Sequence, residues 1–319
     1  MKIISLFDTS VGSDNLGDYI IMDAVRKVIK ELFRNDVYIY NFPTHDIIFR
    51  YSWKIIANSD FKFVGGTNLL SSQGCIKYKS QWKIGFLDSY YINDVILLGV
   101  GWNSYQKNPN IYRKWLYNRI LSKNYLHAVR DSYTEKKLKS IGIKNVLNTG
   151  CPTMWKLNRE HCELIPKVKS TNVLLTYTVY NQNFEYDKKL FNILKHNYKV
   201  IYFIPANPKD VEYARKICGD DIKYLNPDLN ELDDFLSSNE VDYIGTRLHI
   251  GIRALQHKKR TLIIAIDNRA KEISKDTNLP VIDRFDVEGI ENWINSYYET
   301  NINIPIDAIT KWKSQFDKI

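Results

Sequence analysis

Val241-Asp242-Tyr243-Ile244-Gly245-Thr246-Arg247-Leu248-His249-Ile250-Gly251-Ile252-Arg253 is the stretch that says most about this chain. A short β-branched and aromatic run ends at Gly245, and a helical pattern begins near Thr246. Strand, glycine, then helix is a common way for an α/β fold to build an anion site. The first turn of such a helix offers free backbone N–H groups and the positive end of its dipole. Arg247, His249 and, one turn on, Arg253 at that junction point to a ligand carrying phosphate or carboxylate.

Working outward, the same alternation recurs along the chain. Lys2–Asp8 reads as a strand, and residues 18–34 carry a clean i, i+3, i+4 apolar stripe. Val37–Tyr40, Phe61–Val64, Val95–Leu98, Tyr125–Arg130 and Lys144–Leu147 read as further strands, with a helix over Ser132–Ile141. The third and fourth are almost wholly apolar and are closed by glycine, the habit of buried parallel strands. Residues 158–172 are polar, contain Pro166 and read as a linker. The pattern then restarts, with strands at 173–179, 200–204, 222–225, 241–244 and 261–266. Helices fall at 187–196, 209–217 and 229–237, after Thr246, and near 287–299 and 306–316.

These readings predict an α/β protein of two similar halves: residues 1–160, residues 170–300, and a final helix within 301–319. The length of 319 residues suits two domains. No apolar run approaches the ~18–20 residues that span a membrane. The start reads as a first strand rather than a signal peptide, and Cys75, Cys151, Cys162 and Cys218 are scattered without metal-type pairing. A cytoplasmic location is therefore expected. With 45 Lys+Arg against 36 Asp+Glu the net charge is +9, which favours anionic ligands or transient contact with an anionic membrane face. The lysines form no block, so a generally solvated basic surface is the competing reading. The 22 tyrosines could stack on sugars, but most fall in apolar periodic runs and read as core.

Four strand-end loops of the first half invite a ligand. Gly12–Asp18 opens the first long helix; it holds no lysine, and its Asn15, Gly17 and Asp18 suit a sugar hydroxyl better than a phosphate, or simply a capped turn. Gly65-Gly66-Thr67-Asn68 permits close backbone approach, or a tight turn. Gly99-Val100-Gly101-Trp102 ends in a tryptophan that reads better as core than as a sugar platform. Arg130 is either a ligand contact or the ion-pair partner of Asp131. In the second half Asp267-Asn268-Arg269, with Lys271 next, reads as a basic strand-end loop or a surface loop capped by Asp267. No P-loop, nucleophile elbow, helical histidine pair for zinc or ribonucleoprotein-type motif is present.

Seven short motifs, in this order, resemble the polysaccharide pyruvyl transferase family. They begin with Asn15-Leu16-Gly17-Asp18, Gly65-Gly66-Thr67-Asn68-Leu69-Leu70, Gly99-Val100-Gly101 and Val129-Arg130-Asp131-Ser132. Gly150-Cys151-Pro152-Thr153, Thr246-Arg247-Leu248-His249 and Asp267-Asn268-Arg269-Ala270-Lys271 complete the set. Thr67 stands where the family more often has a third glycine, and Gly150-Cys151-Pro152 replaces a frequent Asp-Pro. The resemblance implies two Rossmann-like domains facing across a cleft, as in GT-B glycosyltransferases. It places the acceptor with the N-terminal domain and the donor with the C-terminal one, and packs the last helix back toward the N-terminal domain. It also implies transfer of pyruvate from phosphoenolpyruvate, a co-substrate rather than a cofactor, onto a sugar or lipid-linked saccharide as a ketal.

On that reading His249 is the general acid, and Arg247 grips phosphate or carboxylate with Thr246, Lys271 and the helix N-terminus. Asp18 with Asn15 and Gly17 handles the acceptor, and Gly65, Gly66, Thr67, Gly101 and Arg130 line the cleft. No metal and no nucleic acid is expected. A GT-B glycosyltransferase with a nucleotide-sugar donor, or a noncatalytic sugar-binding protein, are the rival readings.

Overall fold

A computed structural model describes residues 1–73 and 81–317. Cys75 lies outside them; Cys151, Cys162 and Cys218 are buried thiols. Contacts divide the chain into two compact units. Unit 1 comprises Met1–Ser13, Ile21–Trp155 and Ile304–Ile319; unit 2 comprises Asp14–Ile20 and Lys156–Asn303.

Unit 1 carries six parallel strands in the order β2-β1-β3-β4-β5-β6. These are β1 (Lys2–Asp8), β2 (Val37–Pro43), β3 (Phe61–Gly65), β4 (Val95–Val100), β5 (His127–Val129) and β6 (Val146–Asn148). Its helices are α1 (Leu16–Leu32, whose first turn counts with unit 2), α2 (Arg50–Ala57), α3 (Ile111–Ile120), α4 (Ser132–Ser140) and the last helix, α12 (Ile306–Ser314).

Strand alternation sorts the apolar residues onto two faces. Phe61, Phe63, Ile96, Leu98 and Ala128 join one core with α1 and the C-terminal Trp312 and Phe316. Val64, Val95, Leu97, Val100 and Val129 join another that includes Ile56 of α2, Leu116 of α3 and Leu138 of α4. The last helix therefore belongs to the N-terminal unit, as the resemblance implied. Trp312 donates from Nε1 to the Leu126 carbonyl at 2.8 Å, and Phe316 stacks on Tyr125 at 5.7 Å.

Unit 2 carries β7 (Asn172–Thr176), β8 (Val200–Phe203), β9 (Lys223–Tyr224), β10 (Val241–Gly245), β11 (Thr261–Ala265) and β12 (Val281–Asp283). Its helices are α5 (Arg159–Glu163), α6 (Phe184–Asn197), α7 (Pro208–Cys218), α8 (Leu229–Ser238), α9 (Leu248–Gln256), α10 (Asn268–Thr277) and α11 (Val287–Asn295). The strand order is β12-β11-β10-β7-β8-β9, all parallel. Counted from β7 as first, this is the doubly wound order 3-2-1-4-5-6. The strand order reverses between β7 and β10, and such a switch point opens a crevice beyond the carboxyl ends of those two strands.

Several elements depart from the sequence reading. The first helix starts at Leu16, not Asp18, and ends where Arg34 and Asn35 take positive φ. The polar stretch 158–172 contains α5, started by the Asn158 side chain accepting from His161 N. The segment read as a basic loop after β11 is the helix α10. Asp267 is its N-cap, and Ala270, Ile273 and Thr277 are its buried residues. The helices α2 and α3 and the short strand β12 are additions.

Candidate active site

The switch point of unit 2 is built from the stretch that opened the sequence reading. At the end of β10, Gly245 lets β7 come unusually close: a Cβ there would lie 2.3 Å from Thr176 Oγ1. The junction is then pinned by hydroxyls. Arg247 N donates to Thr176 Oγ1 at 3.2 Å, Tyr243 donates from its hydroxyl to the Arg247 carbonyl at 2.7 Å, and Thr246 and Thr178 share a hydrogen bond at 2.8 Å. Helix α9 begins at Leu248 with no side-chain cap from Arg247, so its first-turn N–H groups face the crevice without one.

Over this helix head lies a hollow lined on one side by Thr246, Arg247, Leu248 and His249, and on the other by Asn15, Gly17, Tyr180, Ala206 and Arg269. All of these belong to unit 2. They come from the ends of β7, β8, β10 and β11 and from the start of α1, where Leu16 donates to the Ala206 carbonyl at 2.9 Å. The hollow is narrow, about 20 Å³, the room of roughly one water.

Arg247 is not the unencumbered clamp expected of it. Its Nη2 donates to both carboxylate oxygens of Asp210, at 2.7 Å to Oδ1, and its Nε donates to the Tyr177 carbonyl at 3.0 Å. Asp210 is fully buried and also accepts from the backbone N–H groups of Val179, Ala206 and Asn207 at 3.1, 3.1 and 3.0 Å. One carboxylate thus ties Arg247 to the loops that follow β7 and β8. Nη1 is the guanidinium nitrogen without a hydrogen bond among the described residues, and it is the part of Arg247 that a ligand could engage. Arg253, the third basic residue of the stretch, is bound to Asp233 and to Gln256 and does not line the hollow. Burial pushes the Asp233 carboxyl up, but hydrogen bonds from His257 and Arg253 outweigh it and bring the pKa to about 2.

The second cation of the hollow is Arg269, not Lys271. Arg269 bonds Asp267 through Nε at 2.9 Å and lies over the ring of Tyr180 at 5.4 Å, while Arg247 lies over the same ring at 5.7 Å. Lys271 is half exposed, pairs with Asp283 and lies outside the lining. Tyr180, Ala206 and Asp210 were missed by sequence reasoning. Asn207 and Asp210 form a capping box at the start of α7, and nothing local to it points to Arg247 as the partner.

The first loop divides likewise. Asn15 and Gly17 line the hollow, with Asn15 Oδ1 accepting from Gly17 N at 3.2 Å. Asp18 is the third residue of α1, inside its first turn and not at its cap; it is buried and is not among the lining residues of the hollow. His249, the second residue of α9, is a lining residue and 7% exposed.

The remaining residues proposed for a cleft sit in unit 1, where packing explains them. A Cβ on Gly66, at φ +59°, would fall 1.9 Å from Ile21 Cγ2, and one on Gly65 would fall 2.9 Å from Met22 and Val25. Both glycines let α1 lie against the end of β3. Thr67 follows with φ +44°. Gly101 makes room for the Arg130 guanidinium, which would meet a Cβ at 2.2 Å. Arg130 is 1% exposed, bonds Asn68 Oδ1 and pairs with Asp131 at 3.3 Å; its Nη1 has no hydrogen-bond partner. Trp102 is core, with Nε1 donating to Ser72 Oγ at 3.1 Å.

A doubly wound unit with an arginine–histidine helix head at its switch point, in one chain with a second parallel α/β unit, defines the class: an α/β protein of the GT-B kind. Solved structures agree on the fold. The Staphylococcus aureus MnaA–UDP co-structure is similar over 96% of this chain and 92% of its own, at 15% identity and a TM-score of 0.58. The Methanocaldococcus jannaschii UDP-GlcNAc 2-epimerase in complex with UDP-GlcNAc and UDP covers 96% and 95% at 14% identity and a TM-score of 0.55. No curated protein sequence matches the chain. The chain belongs to the polysaccharide pyruvyl transferase family, which it matches over residues 15–268. No helix among the described residues is long and apolar enough to cross a membrane, and no cluster of ligand side chains suited to a metal is present among them.

Proposed function

We propose that this protein transfers the pyruvyl group of phosphoenolpyruvate onto two hydroxyls of one sugar, in a polysaccharide or its precursor, forming a ketal. The observation that carries the reading is the meeting of Thr246, Arg247, His249 and Arg269 in one hollow at the switch point of a chain that belongs to this family. A donor bearing both phosphate and carboxylate suits two guanidinium groups flanking one helix N-terminus.

The chemistry balances as follows. A proton adds to C3 of the enol, and a sugar hydroxyl attacks C2 and gives up its proton. The C2–O bond to phosphate then breaks with both electrons leaving on phosphate. The second hydroxyl attacks the oxocarbenium centre and releases its own proton, so the products are ketal and hydrogen phosphate. His249 supplies the C3 proton. Arg247 Nη1, Arg269 and the first-turn N–H groups of α9 hold the charge that phosphate carries away. Asn15, the polar residue of the first loop in the hollow, orients the acceptor hydroxyl. The hollow holds about one water, so Tyr180, 58% exposed, must swing aside to admit the donor.

The test is phosphate release from phosphoenolpyruvate against a panel of saccharide acceptors, beside nucleotide release from nucleotide sugars. Acceptor-dependent phosphate release is expected. His249→Ala should lower turnover by roughly 10²–10⁴-fold, the usual worth of a general acid. Nucleotide release without any reaction of phosphoenolpyruvate would sink the reading.

A further inference from the structure

Unit 1 exposes aromatic residues that the proposed reaction does not use. Tyr91 stacks on Trp53 at 4.8 Å and 7°. Beside them an open groove of about 1100 Å³ is lined by Arg50, Trp53, Lys54, Leu87, Tyr90 and Tyr91, among others. From Tyr90 the rings continue to Phe86 at 5.3 Å and from Phe86 to Trp115 at 5.5 Å. Phe49 and Tyr51, at the start of α2, are 74% and 80% exposed, and Leu87 is 64% exposed. Single exposed apolar residues are ordinary; a contiguous run of rings across α2, α3 and the turn Asp88–Tyr90 marks an interaction surface.

Its charge says what kind. Two cations, Arg50 and Lys54, line the groove, and Arg119 covers the rings of Tyr90 and Trp115 at 4.8 and 5.7 Å. Among the described residues, no acidic side chain lines the groove. The neighbouring Asp88 is 2% exposed and its carboxylate accepts from Trp53 Nε1 at 3.1 Å and Gly85 N at 2.8 Å, so it is turned inward. Tyrosine and tryptophan with polar edges, an exposed phenylalanine and leucine, and arginine and lysine among them form the composition that settles into the headgroup layer of an acidic bilayer.

We propose that this face docks the protein onto an anionic phospholipid membrane. The aromatic residues enter the headgroup layer, and Arg50, Lys54 and Arg119 meet lipid phosphates. The inference is independent of the pyruvyl transfer reading.

Flotation of the whole chain with phosphatidylcholine–phosphatidylglycerol vesicles, against phosphatidylcholine alone and at low and high salt, tests it. Binding should require the anionic lipid and weaken with salt. Arg50→Gln with Lys54→Gln should lower the partition coefficient about fivefold for each cation removed, and Tyr51→Ser with Leu87→Ser should lower it through the apolar half. Each pair sits on exposed side chains, so melting temperatures should match the wild type. Three results would overturn the proposal: no preference for anionic vesicles, both double variants floating like the wild type, or light scattering that shows a dimer which the Tyr51/Leu87 variant dissociates.

Discussion

Arg247→Ala should destabilise the protein as well as impair it, and the size of that loss follows from its partner. The side chains of Arg247 and Asp210 are 9% and 0% exposed. Removing one member of a buried pair leaves the other charge uncompensated, at about 3–5 kcal/mol. Asp210 would keep three backbone donors, from Val179, Ala206 and Asn207, so Arg247→Ala falls at the low end, about 3 kcal/mol. For unit 2 melting as a domain-sized body, that is roughly 6–12 °C of melting temperature. Asp210→Ala is worse, because it strands the guanidinium and three N–H groups together. Its cost should reach or pass the top of the range, about 5 kcal/mol. The double variant should cost less than the sum of the two by about 2–3 kcal/mol, the coupling of a contacting pair. Urea midpoints and thermal melts of the three variants complete the cycle. A melting temperature for Arg247→Ala within about 2 °C of wild type, or a milder effect for Asp210→Ala than for Arg247→Ala, would refute the argument. If it holds, lost activity in Arg247→Ala reports a disordered strand-end scaffold as much as a lost ligand contact.

Arg269→Ala should raise the KM for phosphoenolpyruvate, because Arg269 lines the hollow, whereas Lys271→Ala should leave both KM and kcat near wild type; initial-rate kinetics separate them, and an equal effect of the two would reject the assignment. Gly66→Ala combines an αL backbone with a Cβ 1.9 Å from Ile21 and should cost about 2–5 kcal/mol in denaturant titrations; a stable variant would show that α1 is less closely seated than described. His127 is buried in unit 1, its Nε2 donating to the Ser122 carbonyl and its Nδ1 accepting from Leu97 N–H, and burial lowers its pKa to about 4. A depressed histidine stabilises fully above the unfolded pKa near 6.5 and loses that contribution as pH falls toward 4, so about 3 kcal/mol of stability should disappear over that window. Relative to His127→Gln, the wild type should lose its excess stability on acidification, and a difference constant from pH 7 to 4 would exclude this origin.

What the sequence made legible, and what it hid, divides along a physical line. Buried parallel strands announce themselves, since both faces must be apolar: Val95–Val100 is buried throughout, and every strand of the two sheets except β12 was anticipated near its place. The helix head at Thr246–His249 was equally plain, because strand, glycine and helix start are local chemistry. Side-chain direction was not. Arg269 and Lys271 differ by two residues, about 200° of helix rotation, but only once α10 is known to begin at Asn268 does that phase put Arg269 into the hollow and Lys271 against Asp283. Read as a loop, the segment carried no phase at all. Asn15 and Asp18 divide in the same way about the start of α1 at Leu16.

Pairings distant in sequence were hidden more completely. Gly66 could be read as a close approach but not as an approach to Ile21, and Asp210 was one of 36 acidic residues, any of which could have met Arg247. The helices α2 and α3 went unseen for a further reason. Their large apolar residues do not all face inward: Tyr51, Ile111 and Trp115 are exposed. An amphipathic pattern is legible when water is the only solvent a helix must face. At α3, which has almost no amphipathic stripe, apolar side chains turned toward a lipid surface would blur that pattern; α2 is amphipathic, and its eight residues are too few for a helical period to stand out from a short apolar run.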